Sequence, residues 1–435
     1  MDFKPVQKLK VQRTLSTGEI VLVGMLAQSK QGVFFQYQAD YLSEFGNLSP
    51  FSLQATTRLQ AAPAEPHNGL HGVFADSLPD GWGLLLQDRV FRQVGVLPNQ
   101  VTAMDRLAFV GARGMGALSF SPVSDFKVNT EDEVNLAALG LQAQATFDQA
   151  VTGEGEVDQV FSALVAAGSS GGARPKAQVY FSANNFKQCR TQSKTGDEAW
   201  LIKFTSQNLA LGHEEGLCEA VYLDLAKQAG LEPPEWKLLE APAKSGAKAW
   251  LAVKRFDWLE NAASGKAGRL HLHSACGLLD ADYRTPSLDY ADLIKASRQL
   301  CKSPAVGQLQ FKRAMFNLFA CNQDDHSKNW AFLQKDKGDW QPAPFYDVTF
   351  SPHPFNEHAT AFVGHGKKPP LASIQKLASI AGFANWQEAQ QAMQEVVEVL
   401  DGFRVKALAL GVKKNTVIAI EKALAKQREE NKFYL

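Results

Sequence analysis

The run Asn317–Asn329 (NLFACNQDDHSKN) contains the side chains of this sequence that are best suited to chemistry: two adjacent acids, a histidine, a lysine and several amides. Before its polar half, Phe311, Met315 and Leu318 recur at helical spacing, which predicts a buried helix that ends near Asn322. The polar side chains then converge in a loop. Acid, amide and cation in one place are what phosphoryl transfer requires, because positioning and charge do most of the work in that reaction.

Asp324 and Asn329 have the D-x-x-x-x-N spacing of a phosphoryl-transfer loop. In such a loop the carboxylate accepts or orients a hydroxyl proton, and the amide oxygen holds Mg²⁺ together with a second carboxylate. Asp347 follows Phe345 and Tyr346 in the Pro-bounded run WQPAPFYDVT, where the end of a short strand would deliver that second ligand. Each residue alone is also consistent with an ordinary solvated turn. The predicted magnesium site therefore depends on the three residues together.

Two further features are suited to binding phosphates. The small-residue stretch Ala166–Ala173, followed by Lys176, predicts a loop whose backbone N–H groups lie over phosphates, although a mobile surface linker has the same composition. Lys203 lies in the apolar strand AWLIKF, and Glu219 lies on the helix that follows. A strand lysine paired with a helix glutamate holds the nucleotide phosphates in kinases, and a surface ion pair is the alternative.

The composition excludes several classes of protein. With 435 residues, 45% of them hydrophobic, the chain can form two or three domains with large cores. Lys+Arg and Asp+Glu both number 45, so no net charge attracts the chain to nucleic acid or to an anionic membrane. The first residues form no continuous apolar segment, and the five cysteines are scattered without a C-x-x-C pair. These features predict a cytoplasmic protein with reduced thiols and without a signal peptide or transmembrane helix.

Hydrophobic periodicity predicts a mixed α/β chain that becomes almost wholly helical from about Ala275. The polar segment Ser124–Glu133 marks a first domain boundary. The elements predicted before Ala275 include a β-hairpin over Glu19–Leu26 and Gly32–Leu42, a helix from Asp80 or Gly81, a helix over 145–167, and strands at Trp236–Leu239 and Ala249–Lys254. The last of these strands can offer backbone groups to an adenine edge.

In their order along the chain, these motifs resemble those of the HipA family of serine/threonine kinases, the toxins of type II toxin–antitoxin pairs. The resemblance covers most of the sequence. The family run N-x-D-x-H-x-K-N is matched by Asn322–Asn329, and the run P-x-Y-D is matched by Pro344–Asp347. The S-x-x-G-A-x-x-K phosphate loop is matched by Ser169–Lys176, and the R-F-D strand end by Arg255–Asp257.

The resemblance implies an α+β, two-lobed protein-kinase-like fold, with a HipA-like N-terminal subdomain over 1–123, a kinase N-lobe over 134–258 and an all-helical C-lobe over 259–435. It implies Asp324 as the catalytic acid or base and Asn329 and Asp347 as Mg²⁺ ligands. The loop serine implied to be autophosphorylated is Ser169, beside Ser170. The residues implied to bind ATP are Gly171, Gly172, Ala173, Arg174, Lys176, Lys203, Glu219, Lys254, Arg255, Phe256, Asp257, His326, Lys328 and Tyr346.

The resemblance further implies an ATP- and Mg²⁺-dependent kinase that phosphorylates itself and a protein of translation, such as an aminoacyl-tRNA synthetase. Its implied partners are a HipB-like helix-turn-helix antitoxin, with which it represses their operon, and operator DNA, contacted mainly through that antitoxin. No membrane partner is implied.

Three alternatives remain at this stage. A small-molecule or lipid-headgroup kinase of related fold would share the same motifs. A catalytically inactive module would use the fold only to bind an antitoxin and DNA. A metalloenzyme would use His353, His358 and His365, although these histidines lack a regular ligand spacing.

Overall fold

The protein is described by a computed structural model that covers residues 3–124, 133–152, 160–167, 171–182, 185–186, 188–260 and 265–435. These residues form strands and helices around three large hydrophobic clusters. Among them, no helix combines the length and hydrophobicity needed to span a bilayer.

The N-terminal part, residues 3–124, is built on an antiparallel sheet with the strand order β4-β3-β2-β1-β5. Its strands are β1 Lys8–Thr14, β2 Ile20–Ser29, β3 Gly32–Tyr37, β4 Gln60–Ala61 and β5 Leu118–Ser121. Its helices are α1 Ala39–Phe45, α2 Gly72–Ala75, α3 Gly81–Gln93 and α4 Ala103–Val110. The predicted hairpin is confirmed as β2 and β3, in which alternate residues Val33, Phe35 and Tyr37 are buried on one face. Its second strand ends at Tyr37 and not at Leu42, because Ala39–Phe45 forms helix α1.

The middle part, residues 133–260, contains a second antiparallel sheet with the strand order β10-β11-β9-β7. The strands of this part of the chain, four of which form that sheet, are β6 Val134–Asn135, β7 Lys176–Phe181, β8 Gln188–Cys189, β9 Glu198–Lys203, β10 Trp236–Glu240, β11 Ala249–Lys254 and β12 Trp258–Leu259. Its helices are α5 Leu136–Thr152, α6 Val160–Ala167 and α7 Glu215–Gln228. The helix predicted over 145–167 is helical over 145–152 in α5 and over 160–167 in α6. Residues 153–159 lie outside the described residues, as do 125–132 of the predicted boundary segment.

Helix α7 joins the second sheet to the C-terminal part. It packs against β10 and β11 on one side, and its residues Leu217, Val221 and Leu225 belong to the same buried cluster as Phe316 and Met393 of the C-terminal part. Because it is covered on both sides, nearly the whole helix is buried. Any polar side chain on α7 that reaches the space between the sheet and the C-terminal helices is therefore held firmly.

The C-terminal part, residues 265–435, is helical in bulk. Its helices are α8 Ala275–Leu278, α9 Tyr290–Cys301, α10 Pro304–Phe319, α11 Leu371–Ala381, α12 Trp386–Leu400, α13 Phe403–Leu410 and α14 Lys414–Glu430. Its strands are β13 Gly268–Arg269, β14 His271–Ser274, β15 Leu288–Asp289, β16 Ala331–Gln334, β17 Trp340–Pro342 and β18 Thr360–Ala361. The all-helical lobe expected from periodicity therefore also contains a small sheet, β14-β16-β17, whose strands are too short to give a strong alternating pattern.

The N-terminal part is packed tightly against the C-terminal part. The guanidinium of Arg13, which is fully buried, donates to Gln334 Oε1 at 3.1 Å and to the Lys335 carbonyl at 3.1 Å. Helices α2 and α8 meet at Gly72 and Gly277, where a Cβ on Gly72 would lie 2.1 Å from the Gly277 carbonyl oxygen. Only glycine permits so close a backbone approach. The N-terminal part is thereby held beside the space between the other two parts.

A buried ion pair connects the second sheet to the N-terminal part. Arg255 donates to Asp257 through Nε at 3.0 Å and Nη2 at 2.5 Å, and to Gln178 on β7 at 2.7 Å. Asp257 also accepts the Gly116 N–H at 2.7 Å. Burial would raise the pKa of Asp257, but Arg255 outweighs it and lowers that pKa, so the carboxylate remains charged.

We expect Asp257→Ala to lower the free energy of unfolding by about 3–5 kcal/mol, because it leaves the Arg255 guanidinium buried without its anion. Urea denaturation followed by tryptophan fluorescence measures the change. The control is Glu421→Ala, which removes an ion pair with the half-exposed Arg404 and should cost about 1 kcal/mol or less. Equal effects of the two substitutions would contradict the structural role of the Arg255–Asp257 pair.

Candidate active site

The loop that carries the chemical residues begins earlier than the sequence predicts. Helix α10 ends at Phe319, and Cys321 turns the chain with a left-handed φ of 54°. Asn322 does not end the helix itself; its amide instead donates to Asn317 Oδ1 at 2.8 Å and fixes the start of the loop to the helix. The loop then passes through a single 3₁₀ turn, Ser327–Asn329, into β16.

Asp325 anchors this loop and Asp324 is left facing the solvent. The buried Asp325 carboxylate accepts hydrogen bonds from Tyr290 Oη at 2.5 Å, from the Ala359 N–H at 2.8 Å and from His358 Nδ1 at 2.9 Å. The neighbouring Asp324 side chain is 67% exposed at the mouth of a cleft. His358 is thus engaged in packing the loop.

Asn329 is oriented by the loop it belongs to. Its Nδ2 donates to the Asp324 carbonyl oxygen at 2.7 Å, so the amide oxygen is directed away from the loop backbone. His326 Nε2 lies 3.8 Å from Asp324 Oδ1. Partial withdrawal from water raises the pKa of Asp324; His326 opposes this shift and the Asp347 carboxylate adds to it.

Asp347 was predicted at the end of a strand, but it lies in a turn. Strand β17 ends at Pro342, and Asp347 has a left-handed φ of 53°. The segment is held to the loop Asn322–Asn329 by Tyr346, whose hydroxyl donates to the Lys328 carbonyl at 2.6 Å. The Tyr346 ring also stacks on Phe256, with ring centroids 5.5 Å apart. These contacts fix where the Asp347 carboxylate points although the backbone there is irregular.

Lys203 connects three elements. Its ammonium group donates to Glu219 Oε1 on α7 at 2.5 Å and forms a second ion pair with Asp347 Oδ1. Burial would lower the pKa of Lys203, but the two carboxylates outweigh burial and raise it. In turn, Lys203 and Lys176 hold the pKa of Asp347 below its usual value, against the effect of burial. The strand lysine and helix glutamate predicted from the sequence are therefore in contact inside the protein.

Residues 171–176 of the predicted phosphate loop lie next to Lys203, Glu219 and Asp347. Lys176 begins β7 and is paired in register with Lys203, and its Nζ donates to the Gly171 carbonyl at 2.6 Å. Burial lowers the pKa of Lys176; the Asp347 carboxylate opposes that effect and the nearby Lys203 adds to it. Arg174 Nη1 lies 3.0 Å from Glu215 Oε2 on α7. Ser169 and Ser170 lie outside the described residues.

Asp324, Asn329, Asp347, Lys203, Glu219, Arg174 and Lys176 all line one cavity of about 490 Å³. Its lining contains every predicted site residue that the structure describes except Asp257, which is instead fully buried against Arg255. The predicted residues that the cavity brings together are Gly171, Gly172, Ala173, Arg174, Lys176, Lys203, Glu219, Lys254, Arg255, Phe256, Asp324, His326, Lys328, Asn329, Tyr346 and Asp347. The cavity is large enough for a nucleotide.

At the end of β11 the backbone is only partly available to a ligand. The N–H groups of Lys254 and Arg255 donate to the Glu235 and Ala199 carbonyls at 2.8 and 2.9 Å, and the Lys254 ammonium binds Glu198 and Glu260. Within the described residues, Phe256 is the one of the three whose N–H makes no hydrogen bond. The Phe256 N–H is therefore the backbone donor available to a ligand here, and the apolar side chains of Val253 and Pro234 also line the cavity.

Sequence reasoning missed the share of the N-terminal part in this cavity. Asp76, Asp80, Met115 and Ala117 line it, as do Tyr283 and Arg284 of the C-terminal part. The run FADSLPDGWG contains Asp76 and Asp80, but its spacing indicates only the start of a helix. No periodic or motif signal connects Asp80 to residues about a hundred or more positions later in the chain, so only the fold reveals the contact.

The donor set suits Mg²⁺. Asn329 and Asp347 offer an amide and a carboxylate oxygen to the same cavity, and magnesium prefers such ligands while keeping several waters and binding substrate phosphates. Within the described ranges, no group of three or more His, Cys, Asp and Glu side chains is arranged to hold a metal on its own. The residues thus fit a cation that is bound together with a phosphate-bearing ligand, and they do not support the histidine metalloenzyme.

Comparisons with known proteins agree with this geometry. Residues 168–402 match the family described as HipA-like C-terminal domain, and residues 19–121 match the HipA N-terminal domain. Two proteins of Sinorhizobium fredii (strain NBRC 101917 / NGR234) named as candidate kinases are similar over shorter stretches. Y4mE is 30% identical over 138 residues, which are 30% of this chain and 31% of Y4mE. Y4dM is 25% identical over 203 residues, which are 44% of this chain and 47% of Y4dM.

The chain therefore spans less than half the length of either curated relative. Among solved structures, a chain from the Shewanella oneidensis MR-1 complex of HipA, HipB and operator DNA has a TM-score of 0.66 at 15% identity, covering 96% of both chains. This similarity confirms the expected HipA-like α+β fold. Because the C-terminal domain match alone covers more than half of the sequence, this chain belongs to the HipA family.

Proposed function

We propose that this chain is an ATP- and Mg²⁺-dependent serine/threonine-protein kinase. The observation that carries the proposal is the convergence of Asp324, Asn329, Asp347 and Lys203 on one cavity, although they come from a loop, a 3₁₀ turn, an irregular turn and a strand. A structural ion-pair network would not need the exposed carboxylate of Asp324 beside it.

Each residue has a defined task in this proposal. Asp324, at the open mouth of the cavity, accepts the proton of the acceptor hydroxyl, and its raised pKa suits that task. Asn329 and Asp347 hold Mg²⁺, which when bound supplies positive charge to the phosphates. Lys203, fixed by Glu219, binds phosphate oxygens. Lys176, Arg174 and the backbone from Gly171 to Ala173 cover the triphosphate, while the Gly172 N–H itself is engaged by Asp80.

Membership of the HipA family supports the biological part of the proposal. In it, the chain is the toxin of a toxin–antitoxin pair, phosphorylates a protein of translation such as an aminoacyl-tRNA synthetase, and autophosphorylates at Ser169. A HipB-like helix-turn-helix antitoxin is its partner, and the two repress their operon together. The zero net charge of the chain fits contact with operator DNA mainly through the antitoxin.

We expect Asp324→Asn to lower phosphate transfer from γ-labelled ATP at least about a hundredfold, because the amide cannot accept the hydroxyl proton. Nucleotide binding should change little, since the residues that hold the phosphates remain. The matched control is Asp339→Asn, an exposed acid in the turn after β16. Equal labelling by wild type and Asp324→Asn would remove Asp324 from its role, and no labelling by wild type would favour an inactive module.

The pH dependence follows from the environment of Asp324. Because its pKa is raised, transfer by the wild type should be lost as the pH falls through that pKa and retained above it. Since His326 counteracts the shift, His326→Gln should raise the pKa further and move the acidic limb of the kcat profile to higher pH. His365→Gln, an exposed histidine outside the cavity, is the control. An acidic limb that stays in place or moves to lower pH would contradict this assignment.

The target is testable in cells. After induced expression, quantitative phosphoproteomics should find a translation protein that gains phosphate with wild type and not with Asp324→Asn. Phosphopeptide mapping of the purified chain should locate self-labelling at Ser169, with Ser170→Ala unchanged and Ser169→Ala unlabelled. Labelling of a small metabolite instead of a protein would support the alternative of a small-molecule kinase.

A further inference from the structure

Helix α3 begins with an aspartate that does not cap it. Asp80 occupies the N-cap position, but its side chain makes no hydrogen bond to the helix. An aspartate here normally accepts an N–H of the first turn, which stabilises a helix by about 1 kcal/mol. The carboxylate is instead turned away from the helix and is almost fully buried. A capping role therefore does not explain its position.

The Asp80 carboxylate contacts two loops of the proposed active site at once. Oδ1 accepts the backbone N–H of Gly172 in the phosphate loop. Oδ2 accepts from Lys328 Nζ in the catalytic loop at 2.7 Å. Burial would raise the pKa of Asp80, but Lys328 and the Gly172 N–H outweigh it and lower that pKa. The carboxylate is thus an ionised bridge between loops from the middle and C-terminal parts.

The residues next to Asp80 hold the same loop from the same side. The Trp82 N–H donates to the Gly172 carbonyl at 3.0 Å, and the Trp82 indole donates to the Lys176 carbonyl at 2.7 Å. A Cβ on Gly81, whose φ is +36°, would lie 2.6 Å from the Ala173 Cα, so glycine is needed for this approach. The segment Asp80–Trp82 therefore follows the phosphate loop along its described length.

Lys328 is restrained by this contact as well. Its ammonium group lies between Asp80 and the face of Tyr283, 4.0 Å from the ring centroid, in the same cavity as Asp324 and Asn329. A lysine side chain has several rotatable bonds, so an ammonium group that must meet a phosphate benefits from being held in advance. Asp80 is the carboxylate that supplies this restraint.

We propose that Asp80 is a positioning residue of the active site, which sets the phosphate loop through Gly172 and the Lys328 ammonium through an ion pair. The N-terminal part thereby completes a site whose reacting groups all lie elsewhere in the chain. This inference rests on the proposed kinase function for its kinetic consequence, whereas its effect on the loop is independent of catalysis.

The loop contact is tested first, without any need for activity. Hydrogen–deuterium exchange of residues 171–176 should be faster in Asp80→Ala by about tenfold or more, because the Gly172 N–H loses its acceptor. Asp80→Asn keeps an oxygen at the same place, so its exchange should stay within about threefold of wild type. The matched control is Asp88→Asn on the same helix, which loses an ion pair with Arg106 far from the cavity lining.

The kinetic test separates positioning from general loosening of α3. We expect Asp80→Asn to lower kcat for phosphate transfer about tenfold and Asp80→Ala about a hundredfold, with smaller changes in KM for ATP, since misplacement acts mainly on the transferring phosphate. Asp88→Asn should keep the wild-type kcat. In a Lys328→Met background, Asp80→Asn should have almost no further effect, because its charge acts through that lysine.

Two results would overturn the inference. One is exchange over residues 171–176 in Asp80→Ala that equals that of Asp88→Asn; the other is a full, additive loss from Asp80→Asn in the Lys328→Met background. If wild type transfers no phosphate, the proposed function fails, while the exchange measurement still decides whether Asp80 positions the loop.

Discussion

The buried ammonium group of Lys203 is the constraint on which the arrangement of the cleft depends. A cation withdrawn from water needs anionic partners, and those partners are Glu219 on α7 and Asp347 in the turn after β17. Neither carboxylate could serve unless the second sheet, α7 and the C-terminal part were packed in one relative placement. The apolar cluster around α7 supplies that packing, so hydrophobic burial and the ion-pair network specify the same geometry.

Local sequence was enough for those parts of the site that lie on regular elements or within a short loop. The alternation in AWLIKF puts Lys203 on β9, and the spacing of Leu217, Val221 and Leu225 puts Glu219 on a helix that must pack nearby. Asp324 and Asn329 are five positions apart, so one 3₁₀ turn brings them together without long-range information. The ends of helices are harder to predict from local sequence. Helix α10 ends at Phe319, and Cys321 then adopts a left-handed conformation that is unusual for cysteine, so the residue type does not indicate the helix end.

The orientations of Asp347, Asp257 and Asp80 depend on contacts between distant segments, and local sequence patterns do not predict such contacts. Asp347 resembled the end of a strand, yet its direction comes from a left-handed turn held by Tyr346 against Lys328. Asp257 belongs to a family motif next to a predicted ligand strand, but a buried carboxylate beside Arg255 is more favourable as a bridge to Gly116 than as a ligand. The position of Asp80 at the start of a helix suggests a helix cap. Only the tertiary structure shows that its two carboxylate oxygens accept hydrogen bonds from Gly172 and Lys328, which lie in two other loops.

The distribution of charge in the cavity explains how the site can be stable without a ligand and can still bind a polyanion such as a triphosphate. Lys203, Lys328 and Arg174 are each paired with carboxylates, so the protein does not bury a net positive charge in the absence of a ligand. Lys176 differs, since its described hydrogen-bond partner is the Gly171 carbonyl and burial lowers its pKa against the opposing effect of the Asp347 carboxylate. A phosphate group near Lys176 would favour its charged form. A bound triphosphate would therefore stabilise the charged form of Lys176, whereas Lys203, Lys328 and Arg174 act from positions that their carboxylates have already fixed.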